Sequence, residues 1–214
     1  MSEVSVPELL RHSSNVLHVV EGVFFSLVAL AALVEIKTSS LNWRRIWSLF
    51  LLVGGAFLAA CLIFQKETSQ ISRAWLNLQA SPMRVQHIAV AVLLFVAGGY
   101  ELILLRRPDL KTIGYFSGLL LMVVGVLFCV HVQKGAPKAV AYSLLYHRAV
   151  GLFFILAGIS RMAQRATHKI SWNYAWTFFL LLCGFLMATY REPSGAFEPQ
   201  RVSFSSEDMK SLLQ

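Results

Sequence analysis

The sequence predicts an all-α, polytopic membrane protein: six transmembrane helices arranged as three repeated helical hairpins, with both termini on the outer (periplasmic) side. Three observations carry this expectation. The 214 residues are 57% hydrophobic and only 14% charged, with a mean hydropathy of +0.62; soluble domains average about 25% charged residues. Six apolar runs, at 15–36, 46–64, 86–105, 113–132, 144–163 and 173–190, approach or reach the length of about 20 residues that crosses a bilayer. The basic residues are spread unevenly over the connections between those runs.

In chain order, the segment 1–14, MSEVSVPELLRHSS, is polar. It lacks the basic n-region and small-residue cleavage site of a signal peptide, so the first run is expected to be retained as a span. The first hairpin, 15–64, turns through a loop holding Lys37, Arg44 and Arg45. The longest connection, 65–85, repeats Ile71, Ala74, Trp75 and Leu78 at helical spacing, which predicts an interfacial amphipathic helix over 68–80. The second hairpin, 86–132, turns at Arg106, Arg107 and Lys111, and the third, 144–190, at Arg161, Arg165 and Lys169. The tail 191–214 is polar with two prolines and is expected to lie extended or on a partner.

Those three loops carry nine Lys and Arg residues, against six over a longer total length on the other side (Arg11, Lys66, Arg73, Arg84, Lys134, Lys138). By the positive-inside tendency the basic loops are cytoplasmic and both termini lie outside, as in a bacterial inner membrane. Trp43, Trp47, Trp172, Trp176 and Tyr115 then fall near the cytoplasmic ends of the even-numbered spans, as an aromatic belt does. The net charge of +8 thereby serves topology rather than nucleic acid. Cys61, Cys129 and Cys183 all lie in apolar runs without CxxC spacing, so no disulfide framework is implied.

Aligning His18, His87 and His147 brings the three hairpins into register. Gly55 follows His18 by 37 residues, Gly125 follows His87 by 38 and Gly184 follows His147 by 37. Each unit reads histidine, apolar helix, basic loop, aromatic, apolar helix with a mid-span glycine, which points to a threefold repeat of a two-helix unit. The glycines permit close helix packing.

With this topology His18, His87 and His147 open inward-running helices, and His131 closes an outward-running one. Four histidines are therefore expected at one depth on the outer side, where imidazole needs a polar partner and marks function. Cys61 and Tyr190 stand where His131 stands in the other two hairpins. His12 could join from outside the membrane; His168 is on the opposite side. Glu21, three residues after His18, shares its helix face and is a candidate ligand or orienting partner. Glu35 and Glu101 are expected to be solvated or paired with Arg44, Arg45, Arg106 or Arg107.

Two cofactors suit such a cluster. The first is haem b held by two of the histidines, with Arg148, Arg84 and Arg11 near its propionates, as in an electron-transfer subunit exchanging with quinone. No odd-numbered helix carries a second histidine further inward, so such haem would lie only at the outer side. The second is copper, or another transition metal, on three or four of His18, His87, His131 and His147, with Glu21, Cys61 or Cys129. A cofactor-free structural subunit of a larger membrane complex, with other membrane or periplasmic subunits as partners, is the third reading. No polar residue sits at mid-span, which argues against a transporter, and no nucleophile–base pair, phosphate loop or zinc-protease motif is present. The stretch RVQHIAVAVLLFVAGGYELILLRRP (84–108) is similar to single transmembrane helices of copper-resistance membrane proteins and of small membrane cytochromes b, which open with histidine, carry paired glycines and close with arginine. The likeness assigns no residue a role.

Overall fold

The computed structural model describes residues 5–64, 82–107, 110, 112–133 and 135–198. They form six α-helices: α1 (Val6–Thr38), α2 (Leu41–Phe64), α3 (Pro82–Arg106), α4 (Phe116–Cys129), α5 (Pro137–Thr167) and α6 (Ile170–Thr189). Five are long and apolar enough to cross a membrane; α4, at 14 residues, is shorter. The run 113–132 was expected to span as one helix. Instead it begins with a 3₁₀ turn, Thr112–Tyr115, and ends at Cys129, so the α-helical part rises only about 21 Å at 1.5 Å per residue. The expected interfacial helix over 68–80 lies outside the described residues.

Helix boundaries follow local chemistry. Pro7 and Pro137 stand in the first turns of α1 and α5, where a missing N–H costs nothing. α1 and α5 end on Ser39 and His168, both in the left-handed region (φ 53° and 55°), whose N–H groups return to the carbonyls of Glu35 and Gln164. Ridding the helix ends of open polar groups matters in lipid, where no water serves them.

Each helix packs against its neighbours in sequence, and α6 packs back on α1, closing a ring. The interior is plugged by Phe25, Phe128 and Phe154, with Phe25 edge-on to Phe154 at 4.9 Å and Phe128 stacked on it at 5.6 Å. The outer faces expose Leu27, Val53, Val92, Val123, Leu152 and Phe185. Apolar side chains both inside and outside are what a bilayer-embedded bundle requires. Contact with lipid follows from those faces.

Three of the six helix contacts are made through glycine. Gly22 meets Gly184 between α1 and α6. Gly55 and Gly98 sit against backbone between α2 and α3. Gly125 faces Gly151, and Gly118 faces Gly158, between α4 and α5. At Gly125 an added Cβ would lie 2.5 Å from the Gly151 carbonyl oxygen, so no side chain fits without parting the helices.

One end of the bundle is pinned by a buried carboxylate. Glu101 of α3 has 0% exposure. It accepts from Arg44 of α2 (2.8 Å), Arg161 and Arg165 of α5 (2.8 and 3.4 Å) and the Ser117 hydroxyl of α4 (2.7 Å). The Arg161 guanidinium also lies over Trp176 and Trp47, 4.9 and 5.4 Å from the ring centroids. Glu101 was expected to be solvated or paired from the neighbouring loops. Arg44 does pair with it, but the other two arginines come from α5, and the carboxylate is fully enclosed. Glu35 accepts from the Trp47 indole at 2.5 Å.

Two outcomes test this packing by thermal unfolding in detergent. Gly125→Ala is expected to destabilise by about 1–3 kcal/mol through overpacking, whereas Gly99→Ala, whose Cβ would find only Leu52 Cδ1 at 3.6 Å, leaves stability unchanged or raises it. Glu101→Gln leaves three guanidinium groups without their counter-charge and is expected to cost about 3–5 kcal/mol.

Candidate functional site

At the opposite end of the ring the structure brings four histidines together. His18 comes from α1, His87 from α3, His131 from the segment after α4, and His147 from α5. His18, His131 and His147 are buried, with 4%, 7% and 3% exposure, and His87 is half-buried. His131 stacks on His147 with ring centroids 4.2 Å apart and planes 10° apart. His87 stands edge-on to His131 at 5.2 Å and to His18 at 6.5 Å.

The local helix geometry of His18 and His147 decides what they can do. The Nδ1 of His18 lies 2.8 Å from the carbonyl oxygen of Ser14, and the Nδ1 of His147 lies 2.7 Å from that of Ser143, each four residues back on its own helix. A carbonyl only accepts, so each Nδ1 is assigned the proton and donates. In a neutral ring Nε2 is then an acceptor. The two Nε2 atoms face each other at 3.4 Å. Two lone pairs aimed at one point repel unless something positive sits between them.

The surrounding polar groups hold this pair in place. Ser14 Oγ donates to Glu192 Oε1 at 3.0 Å, and Ser143 Oγ and Tyr190 OH approach Glu192 Oε2 at 3.1 and 2.9 Å. Ser143 Oγ and Tyr190 OH also meet at 2.7 Å. The Tyr190 ring packs edge-on against His18 at 4.9 Å and His147 at 5.5 Å. Asn15 Oδ1 accepts from the Glu192 backbone N–H at 2.7 Å. The start of the tail, expected to be extended or partner-bound, therefore folds back over the histidines. It is held further by the Ala136 N–H donating to the Gly195 carbonyl at 2.9 Å, beside a bridge between Gly135 and Ala196. The rest of the tail, from 199, lies outside the described residues.

The other sequence candidates are placed as follows. Glu21 is buried at 6% exposure, and its Oε1 has no partner among the described residues; it lines a crevice between α1 and α2 rather than meeting His18. Arg148 and His12 are exposed. The side chains of Cys61 and Arg84 lie outside the described residues. Among the described residues no group of three or more His, Cys, Asp or Glu side chains is arranged to hold a metal ion. His131, stacked face to face on His147, cannot aim a ring lone pair where the His147 Nε2 points.

Haem is a poor fit to the residues as packed. His131, Phe128 and Tyr190, all with centroids within 6.0 Å of His18 or His147, surround the pair where a macrocycle would lie. The cavity bounded by His18, Phe128, His147 and Tyr190 is about 10 Å³, no more than the ~10–15 Å³ that a single water needs.

Sequence reasoning missed Ser14, Ser143 and Glu192. A signal for the first two was present: Ser-x-x-x-His precedes both His18 and His147, as SNVLH and SLLYH. No family model, curated protein or solved structure matches this chain.

Burial holds the Glu192 carboxyl above its ordinary pKa of 4.5, with Tyr190, Ser14 and Ser143 partly opposing it. The triangle of Ser143, Tyr190 and Glu192 has two hydroxyl protons for three contacts, and a proton on Glu192 supplies the third. A raised folded-state value means the native protein binds this proton more tightly than the unfolded chain. The stability it contributes is complete below pH 4.5 and is lost as pH rises through the folded value. Glu192→Gln is expected to flatten that stretch of the stability–pH curve; an unchanged slope in the variant would show that Glu192 is not its source.

Proposed function

We propose that the chain is an integral membrane protein that binds a transition metal ion, copper first, between His18 and His147 near the outer membrane face. The observation that carries the reading is the facing Nε2 pair, with both Nδ1 atoms already committed to backbone carbonyls. Two imidazole nitrogens bound at about 2.0–2.1 Å to one ion at a tetrahedral angle stand about 3.4 Å apart, the separation found here. Imidazole suits copper, zinc and iron, and divalent affinity peaks at copper. Ligand histidines characteristically donate their second nitrogen to a carbonyl or carboxylate, which fixes tautomer and aim. His131 sits beyond the end of α4, so it can turn without disturbing a helix, and with His87 it supplies the further nitrogens a closed coordination shell requires.

The threefold repeat of hairpins and the outward placement of both termini belong to the same reading. The sequence register of His18, His87 and His147 and the bias of basic loops support them, as does the glycine contact in each of three helix pairs.

The test is metal content and affinity of the detergent-purified protein after loading with copper and dialysis. One tightly held ion per chain is expected, with His18→Ala and His147→Ala each weakening binding by at least about tenfold, or 1.4 kcal/mol. His12→Ala, at an exposed position, leaves it unchanged. Absence of tight copper, or retention of it in both variants, would overturn the proposal. A sharp α-band in the reduced-minus-oxidised spectrum would replace it with haem.

A further inference from the structure

His18 and His147 border a cavity of about 10 Å³, close to the room of one water. A bare metal ion is smaller than a water and fits there. Phe128 of α4, Val150 of α5 and Met187 of α6 complete its walls, together with Tyr146 and Tyr190.

Three groups on these walls are left able to bind an ion. The Tyr190 hydroxyl is engaged by Ser143 and Glu192 at 2.7 and 2.9 Å, and the Tyr146 hydroxyl donates to the Leu186 carbonyl at 3.1 Å. Phe128 and Val150 are hydrocarbon. What remains is the Nε2 of His18, the Nε2 of His147 and the thioether of Met187. Met187 is 1% exposed and lies in the last turn of α6, three residues before Tyr190, whose ring packs on both histidines. A core methionine ordinarily fills space; this one fills space beside two nitrogen lone pairs that have no donor.

Three such donors are selective. All are neutral, and the cost of holding an ion away from water grows with the square of its charge, so the set favours a monovalent ion over a divalent one. Thioether sulfur is a soft ligand that selects copper(I). Zinc(II) takes four ligands in a tetrahedron, and copper(II) a tetragonal set. His131 and His87 are not among the residues lining the cavity, so a fourth nitrogen reaches it only after they turn. Copper(I), satisfied by three donors, needs no such movement.

We propose, on the basis of the metal-binding reading above, that Met187 is the third ligand of the ion held by His18 and His147, and that the three together select copper(I) over divalent ions.

The test uses the full chain in detergent, kept anaerobic and reduced. Copper(I) is titrated against a chromophoric copper(I) chelator, and zinc(II) against a chromophoric zinc chelator. Met187→Leu conserves volume and apolar packing while removing the sulfur. It is expected to lower copper(I) affinity at least about tenfold, with zinc(II) affinity unchanged and the metal-free unfolding temperature close to that of the wild type. X-ray absorption of the copper(I)-loaded wild type is expected to show one sulfur at about 2.3 Å, outside the nitrogen shell and absent from the variant. Unchanged copper(I) affinity in Met187→Leu overturns the sulfur assignment. So does an equal loss for both ions, which is a packing effect, and so does a wild-type protein that prefers zinc(II). In each of these cases, binding that still depends on His18 and His147 leaves the histidine site standing. A wild-type protein that holds neither ion tightly removes both.

Discussion

An imidazole whose Nδ1 is tied to the carbonyl one turn back has a single nitrogen left to offer, and it can only accept. His18 and His147 are both in this state, and they offer those nitrogens to each other across 3.4 Å. The pair is unfavourable by itself, since both atoms are desolvated and neither can donate. A rigid frame on each side holds it, and the proposed metal ion would take up both lone pairs. The frame is visible. α1 and α5 fix the two rings through their own backbones, while Glu192, reached by Ser14 on one helix and Ser143 on the other, ties the helices together above them.

The two ends of the bundle solve the problem of buried polarity in opposite ways. At one end, Glu101 gathers arginines from α2 and α5 and a serine from α4, and the arginine excess is partly absorbed by the faces of Trp47 and Trp176. Charges there are paired within the protein. At the other end the groups are imidazoles, which carry no obligatory charge, and their lone pairs remain directed inward. A closed ion-pair network serves rigidity; two convergent acceptors without a donor between them are what the proposed metal site would use. Between them the glycine contacts draw neighbouring helices close together.

Much of the architecture was legible in composition, because lipid imposes long apolar runs and helix is the structure that satisfies their backbones. The meeting of His18, His87, His131 and His147 at one end was legible from their equivalent depth along alternating helices. What was not legible depends on tertiary contact. Arg161 and Arg165 read as loop charges for topology, and only the closing of the ring carries them to Glu101. Glu192 lies in a polar tail with no periodicity, so its return over the histidines left no pattern. The shortness of α4 is hidden because residues 113–132 are predominantly apolar whether helical or not. Ser-x-x-x-His could have been noticed, but the contact that matters is made by the serine's backbone, which any residue would provide; the serine side chains act instead on Glu192.

The most direct measurement is copper-edge X-ray absorption on the loaded protein. A nearest shell of nitrogen at about 2.0 Å is expected, with the outer-shell scattering of at least two imidazole rings, reduced by one ring in His147→Ala. A first shell of sulfur, or of light atoms without imidazole scattering, would contradict the assignment of the ion to His18 and His147.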